Sequence, residues 1–250
     1  MVSLHQHVVA AAQVNSAAEK FALFGSVHLS ILLATVALPF AMSRWTQRGA
    51  RPRLARGLAF ALSAVLLLNY AFIFYWSIHM GRLTHWPSAL PMQLCDWATI
   101  VVIAALLWRR QQAYELAYFW GLSGTVQALL TPNVSTPITD PLVLSFFIGH
   151  SGIVVGVLFL TWGLDLRPLP GAVLRAWLWT QLYLATAALA NWLFGLNFGF
   201  LAAKPPRASL LDWFGPWPWY ILTLEVVGVV AFTIFYLPFW VADRARAAAH

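Results

Sequence analysis

The chain has 250 residues, of which 61% are hydrophobic and only 9% charged, and its formal net charge is +7. Soluble domains carry roughly 25% charged residues, so this composition excludes a water-soluble globule. The arginines are concentrated in short segments between apolar blocks, which points to lipid headgroups rather than nucleic acid as their counterions.

Seven apolar blocks follow one another: Phe21 to Met42, Gly57 to Ile78, Pro91 to Trp108, Tyr114 to Leu130, Leu142 to Trp162, Ala172 to Phe194 and Trp217 to Val241. Several reach the 18 to 20 positions needed to cross roughly 30 Å of hydrocarbon. Helix is the state expected of each, because in lipid every backbone N–H and C=O must be satisfied within the segment. A barrel would require alternating segments of about ten residues instead. Prolines separate the blocks: Pro87 and Pro91 before the third, Pro132, Pro137 and Pro141 between the fourth and fifth, Pro216 and Pro218 at the start of the seventh. Neither a repeat nor a second domain is visible. Met1 to Lys20 lacks a basic start followed by an apolar run, so no cleaved signal is expected. The expected fold is an all-α, polytopic bundle of seven transmembrane helices, forming a single domain over residues 1–250.

Charge sets the expected orientation. Eleven of the fifteen Lys and Arg residues follow helices one, three and five or end the chain: Arg44, Arg48, Arg51, Arg53, Arg56, Arg109, Arg110, Arg167, Arg175, Arg244 and Arg246. Lys20, Arg82, Lys204 and Arg207 fall on the other side, so the N-terminus is expected outside and the C-terminus in the cytoplasm. Trp45, Trp108, Trp162 and Trp240 lie at inner helix ends and Trp86, Trp213, Trp217 and Trp219 at outer ones, as interfacial anchors do.

Placed by depth at about 1.5 Å per residue, the intramembrane polar groups fall in one layer of the outer half. The helices contribute His28, Asn69, Cys95 with Asp96, Gln127, His150, Asn191 and Glu225 in order. Ionisable groups in lipid cost at least about 2.5 kcal/mol and normally face the bundle interior or a cavity. A polar pocket opening outward is therefore expected. The alternative for Asn69, Gln127 and Asn191 is interhelical packing, worth about 0.6 kcal/mol per bond.

Cys95 and His150 are the sharpest pair, since an imidazole that takes a thiol proton makes a nucleophile. Against this stand burial and the neighbouring Asp96, and a lone cysteine is often only a small hydrophobe. A metal set drawn from His79, His85, Asp96 and His150 has no tight ligand spacing, and no metal or other cofactor is expected. A retinal Schiff base fails because the only lysines, Lys20 and Lys204, lie outside the spans. Cys95 is the single cysteine, so no intrachain disulfide forms. Asn133-Val134-Ser135 matches a glycosylation sequon.

Six segments in order carry a resemblance: Leu23 to Leu29, Leu90 to Trp97, Phe119-Trp120-Gly121 with Gln127 to Asn133, Phe146 to Gly152, Asn197 to Leu201 with Lys204-Pro205, and Leu210 to Asp212 with Gly215 to Tyr220. Together they resemble the YwaF-like family of bacterial integral membrane proteins. The chain is also distantly similar to a vertebrate multi-pass acyltransferase of ether-phospholipid remodelling. The resemblance implies a bacterial inner-membrane protein, membrane lipids as partners, Cys95 as acyl acceptor and His150 as base. Gln93, counted with the pocket lining, and Asn133 depart from the pattern, in which histidine and aspartate often stand there. Two functions follow as expectations: a lipid acyltransferase, or a transporter or receptor for a small polar solute.

Overall fold

The computed structural model describes residues 21–47, 50–80, 85–132, 134, 136–205 and 209–248. Among them every regular element is a helix, with no strand. Seven helices follow in order: α1 (Ser26–Thr46), α2 (Pro52–His79), α3 (Leu94–Trp108), α4, α5 (Pro141–Trp162), α6 (Ala172–Phe194) and α7 (Trp219–Ala248). Helix α4 is built as Gln111–Trp120, a π-helical turn at Gly121–Thr125, and Val126–Leu130. Short 3-10 turns at Trp86–Ala89, Phe198–Phe200 and Leu210–Phe214 punctuate the connections.

Helix ends follow local chemistry. Asp140 caps α5 by accepting a hydrogen bond from the Leu142 N–H at 2.9 Å, with Pro141 in the first turn where its missing donor is harmless. Asp96 reaches back to the Gln93 N–H at 2.9 Å, which sets the start of α3 at Leu94 rather than at Pro91. Gly171 and Gly195 bracket α6 at φ of 82° and 66°, a backbone region that L side chains seldom adopt.

Four helices, α1, α2, α5 and α7, combine the length and hydropathy needed to cross a membrane. The other three differ for identifiable reasons. Helix α3 is apolar but only 15 residues long, α4 is interrupted by its π turn, and α6 carries Arg175, Gln181 and Asn191 among its 23 residues. All eight tryptophans expected as anchors are exposed.

Helix α5 is the centre of the packing and touches α1, α2, α3 and α4. Small residues permit the approach: a Cβ on Gly152 would sit 2.7 Å from Leu66 Cδ2, and one on Gly156 would sit 2.7 Å from Val102 Cγ1. The far end is held by Glu115, which is 1% exposed. Arg175 donates to both of its oxygens at 2.8 Å, and the Leu169 N–H and the Gln111 amide complete the set. Arg167 in turn pairs with Asp243. Two of the arginines counted for orientation thus have anionic partners within the fold. Lys20, Arg48, Arg82, Arg207, Asn133 and Ser135 lie outside the described residues.

Candidate functional site

Three helical stripes enclose a cavity of about 440 Å³. Leu66, Asn69, Tyr70, Ile73, Phe74 and Ser77 of α2 recur at the three- and four-residue steps of one helix face, as do Leu142, Ser145, Phe146, Gly149, His150 and Ile153 of α5. Cys95, Asp96 and Thr99 supply the third wall from α3, and Ser88 to Leu90, Gln93 and Phe198 lie at the same end. The C-terminal half of α2 and the N-terminal halves of α3 and α5 therefore meet around one partly polar space.

Five of the nine residues singled out in the sequence line this cavity: Cys95, His150, Asn69, Gln93 and Asp96. Nδ1 of His150 lies 2.8 Å from the Phe146 carbonyl, which can only accept, so Nδ1 carries the proton of the neutral ring. Nε2 is left with its lone pair and makes no hydrogen bond among the described residues. The ring also lies 4.1 Å from that of Phe146, which limits its swing. Cys95 is a half-buried free thiol with no hydrogen bond to His150. Asp96 uses Oδ2 on the Gln93 N–H and leaves Oδ1 unbonded among the described residues. The Gln93 Oε1 accepts from the Gly199 N–H at 3.0 Å, which ties the α6–α7 loop to the start of α3.

Asn69 is on the cavity wall, but its amide is already occupied. It donates to the Ser145 carbonyl at 3.1 Å and accepts from the Ser145 hydroxyl at 2.7 Å. The same chemistry corrects four other expectations, because His28, Gln127, Asn191 and Glu225 do not line the cavity. His28 is fully buried, accepts from the Phe24 N–H at 3.0 Å through Nδ1, and donates from Nε2 to the Leu129 carbonyl at 2.8 Å. Asn191 grips Phe198 through both its N–H and its carbonyl, at 2.6 and 3.0 Å, and so shapes the loop after α6. Glu225 accepts from Trp177 at 2.9 Å and Gln181 at 2.5 Å across the α6–α7 contact. Gln127 is exposed and bonds Thr131 at 2.8 Å.

Gln127 has a geometric cause. In regular α winding it would follow buried Trp120 by seven residues and share its face. The wider π turn takes up an extra residue between them, so the end of the helix is rotated, with Leu129 inward and Gln127 outward.

Neither His79 nor His85 lines the cavity, and His79 stacks on Tyr75. Among the described residues no three His, Cys, Asp or Glu side chains gather as a metal site would require.

Over residues 23–236 the sequence matches the TMEM164 family, a family of transmembrane proteins. The chain belongs to that family. No curated protein and no solved structure matches it. The matched span takes in all seven helices except the last turns of α7, and with them every wall of the cavity.

Tyr70, Ser77, Ser88, Thr99 and Ser145 are the polar wall residues that sequence reasoning passed over. Extending the three- and four-residue steps from Asn69 along α2 and from His150 along α5 would have found Tyr70, Ser77 and Ser145.

Proposed function

We propose that this membrane protein crosses the cell membrane seven times, with its N-terminus outside, and transfers acyl groups between lipids through Cys95. The bacterial inner membrane is the setting that the YwaF-like resemblance favours. The arginine distribution supports the orientation, which puts the cavity in the outer half of the bilayer.

One observation carries the chemistry: Cys95 and His150 line the same cavity, and Nδ1 of His150 is committed to a carbonyl so that Nε2 is available as a base. The thiol gives its proton to Nε2, and the sulfur attacks the carbonyl carbon of a phospholipid ester. The ester C–O bond breaks, the departing oxygen takes the proton back from the imidazolium, and a thioester remains on Cys95. A lipid hydroxyl then gives its proton to Nε2 and attacks the thioester, the C–S bond breaks, and the departing sulfur takes that proton from the imidazolium, so the acyl group leaves on the new lipid with thiol and neutral imidazole restored. Tyr70 lines the same cavity from α2, with a phenol able to steady the oxyanion.

The test is transfer of a labelled acyl chain in liposomes. Cys95→Ala is expected to abolish transfer, and wild-type protein should trap label that hydroxylamine releases. Undiminished transfer by Cys95→Ala ends this reading.

A second reading, binding of a small polar solute by a transporter or receptor, is favoured by the Asp96 Oδ1, unbonded among the described residues, in the cavity that Gln93 and His150 also line. It requires Asp96 and His150 while tolerating Cys95→Ala, and it makes binding depend on pH in the histidine range. A solute screen without a hit from about pH 5 to 8 counts against it.

A further inference from the structure

Helix α3 has a second working face. At 100° per residue, Trp97 and Val101 point roughly 170° away from the mean direction of Cys95, Asp96 and Thr99. They line a separate groove of about 440 Å³ with Trp120 of α4, Trp179 of α6 and Arg110. At one side of the groove Trp97 packs edge-on against Tyr183 of α6 at 5.4 Å. Its aromatic floor is fixed, because Trp120 donates to Thr180 at 2.9 Å and packs edge-on against Trp97 at 6.3 Å. Apart from that contact α3 and α6 barely meet, and the groove reaches the α3–α4 turn. There stands Arg110, exposed and in no ion pair among the described residues.

We infer that this groove holds one anionic phospholipid, with an acyl chain along Trp97, Val101 and Trp179 and the headgroup phosphate on Arg110. Length and charge both fit this occupant. From Trp97 to the end of α3 at Trp108 is about 16 Å at 1.5 Å per residue, comparable with one leaflet of a roughly 30 Å hydrocarbon core, and Arg110 stands in the turn that follows. An apolar trough that ends on a cation, at the depth where α3 terminates, suits an amphiphile whose charge is at one end only. Arginine matches phosphate as a planar fork of donors. The site lies across α3 from the cavity, so its lipid is a bound component of the fold rather than the acyl donor proposed above.

The experiment is native mass spectrometry of the full chain, solubilised with phosphatidylglycerol or with phosphatidylcholine of the same acyl chains. Wild-type protein is expected to retain one phosphatidylglycerol preferentially. Arg110→Gln should lower that retention about tenfold, as loss of a charge-assisted phosphate contact does. Arg109→Gln, which changes a neighbour outside the groove, should leave it unchanged. Val101→Trp, which fills the trough, should remove both lipids. Each variant is first required to elute as the wild-type species in size exclusion. Equal retention by wild type and Arg110→Gln overturns the inference, as does equal loss in Arg109→Gln and Arg110→Gln. None of these readouts depends on Cys95 or on acyl transfer.

Discussion

Asn69 and Ser145 exchange two hydrogen bonds across the α2–α5 contact, the hydroxyl donating to the amide oxygen at 2.7 Å and the amide donating to the Ser145 carbonyl at 3.1 Å. In a membrane such bonds are worth about 0.6 kcal/mol each on average. Asn69→Ala is therefore expected to destabilise the protein by about 1 kcal/mol in a micellar unfolding titration. Acyl transfer per folded molecule should stay within about twofold of wild type, since the amide is occupied in packing. A large loss of transfer at unchanged stability would give Asn69 a direct role.

Glu115 is buried, whereas its partner Arg175 is 41% exposed at the side chain. Arg175→Ala leaves a desolvated carboxylate without its cation and should cost about 3 kcal/mol, the lower end for a broken buried pair because the arginine is partly screened. Adding Glu115→Gln removes the stranded charge, so the double variant should recover part of the loss. A double variant less stable than Arg175→Ala would mean that the carboxylate acts mainly through Gln111 and Leu169.

The closeness of α5 to α3 can be tested by volume. Gly156→Ala places a methyl 2.7 Å from Val102 Cγ1 and should destabilise by about 1 to 3 kcal/mol through overpacking. Val102→Ala in the same molecule makes room and should restore most of it. Failure of this rescue in thermal unfolding would move the constraint to Leu106 or Leu62, which lie next nearest to that methyl.

Acid should loosen the link between the α5–α6 connection and the end of α7. The Arg167 guanidinium holds the Asp243 carboxyl below its ordinary value. A carboxylate whose folded pKa is depressed stabilises above its unfolded value near 3.9, and that contribution is lost as pH falls through the folded pKa. Wild-type melting temperature should therefore drop more steeply below about pH 4 than that of Asp243→Asn. Parallel curves would show that the pair contributes nothing measurable.

Much of the scaffold was legible because lipid is an exacting solvent. Ala172 to Phe194 is expected from the apolar run and is found as α6 with the same ends. A fixed rise assigns Asn69, Cys95 and His150 a common height, and all three line one cavity. Azimuth was not legible. A height says nothing about which way a side chain points, and Glu225 and His28 face neighbouring helices rather than the cavity. Asn191 was misjudged for another reason, as its partner Phe198 lies in a loop whose path has no apolar period to read. Helix α3 begins three residues later than expected because the Asp96 carboxylate caps it, a local bond that hydropathy cannot register.

The π turn at Gly121–Thr125 makes the phase of α4 a matter of residue count rather than residue type. Removing one of those five would let the helix wind as a regular spiral with everything after it kept in phase, because the wide turn holds one residue more than a regular turn. Leu129 would stay inward, the His28 ring would keep the carbonyl it now holds, and Gln127 would stay outward. A single deletion there should thus leave the first helix undisturbed, whereas a second would swing the end of α4 by about 100° and be felt across the bundle rather than along the chain.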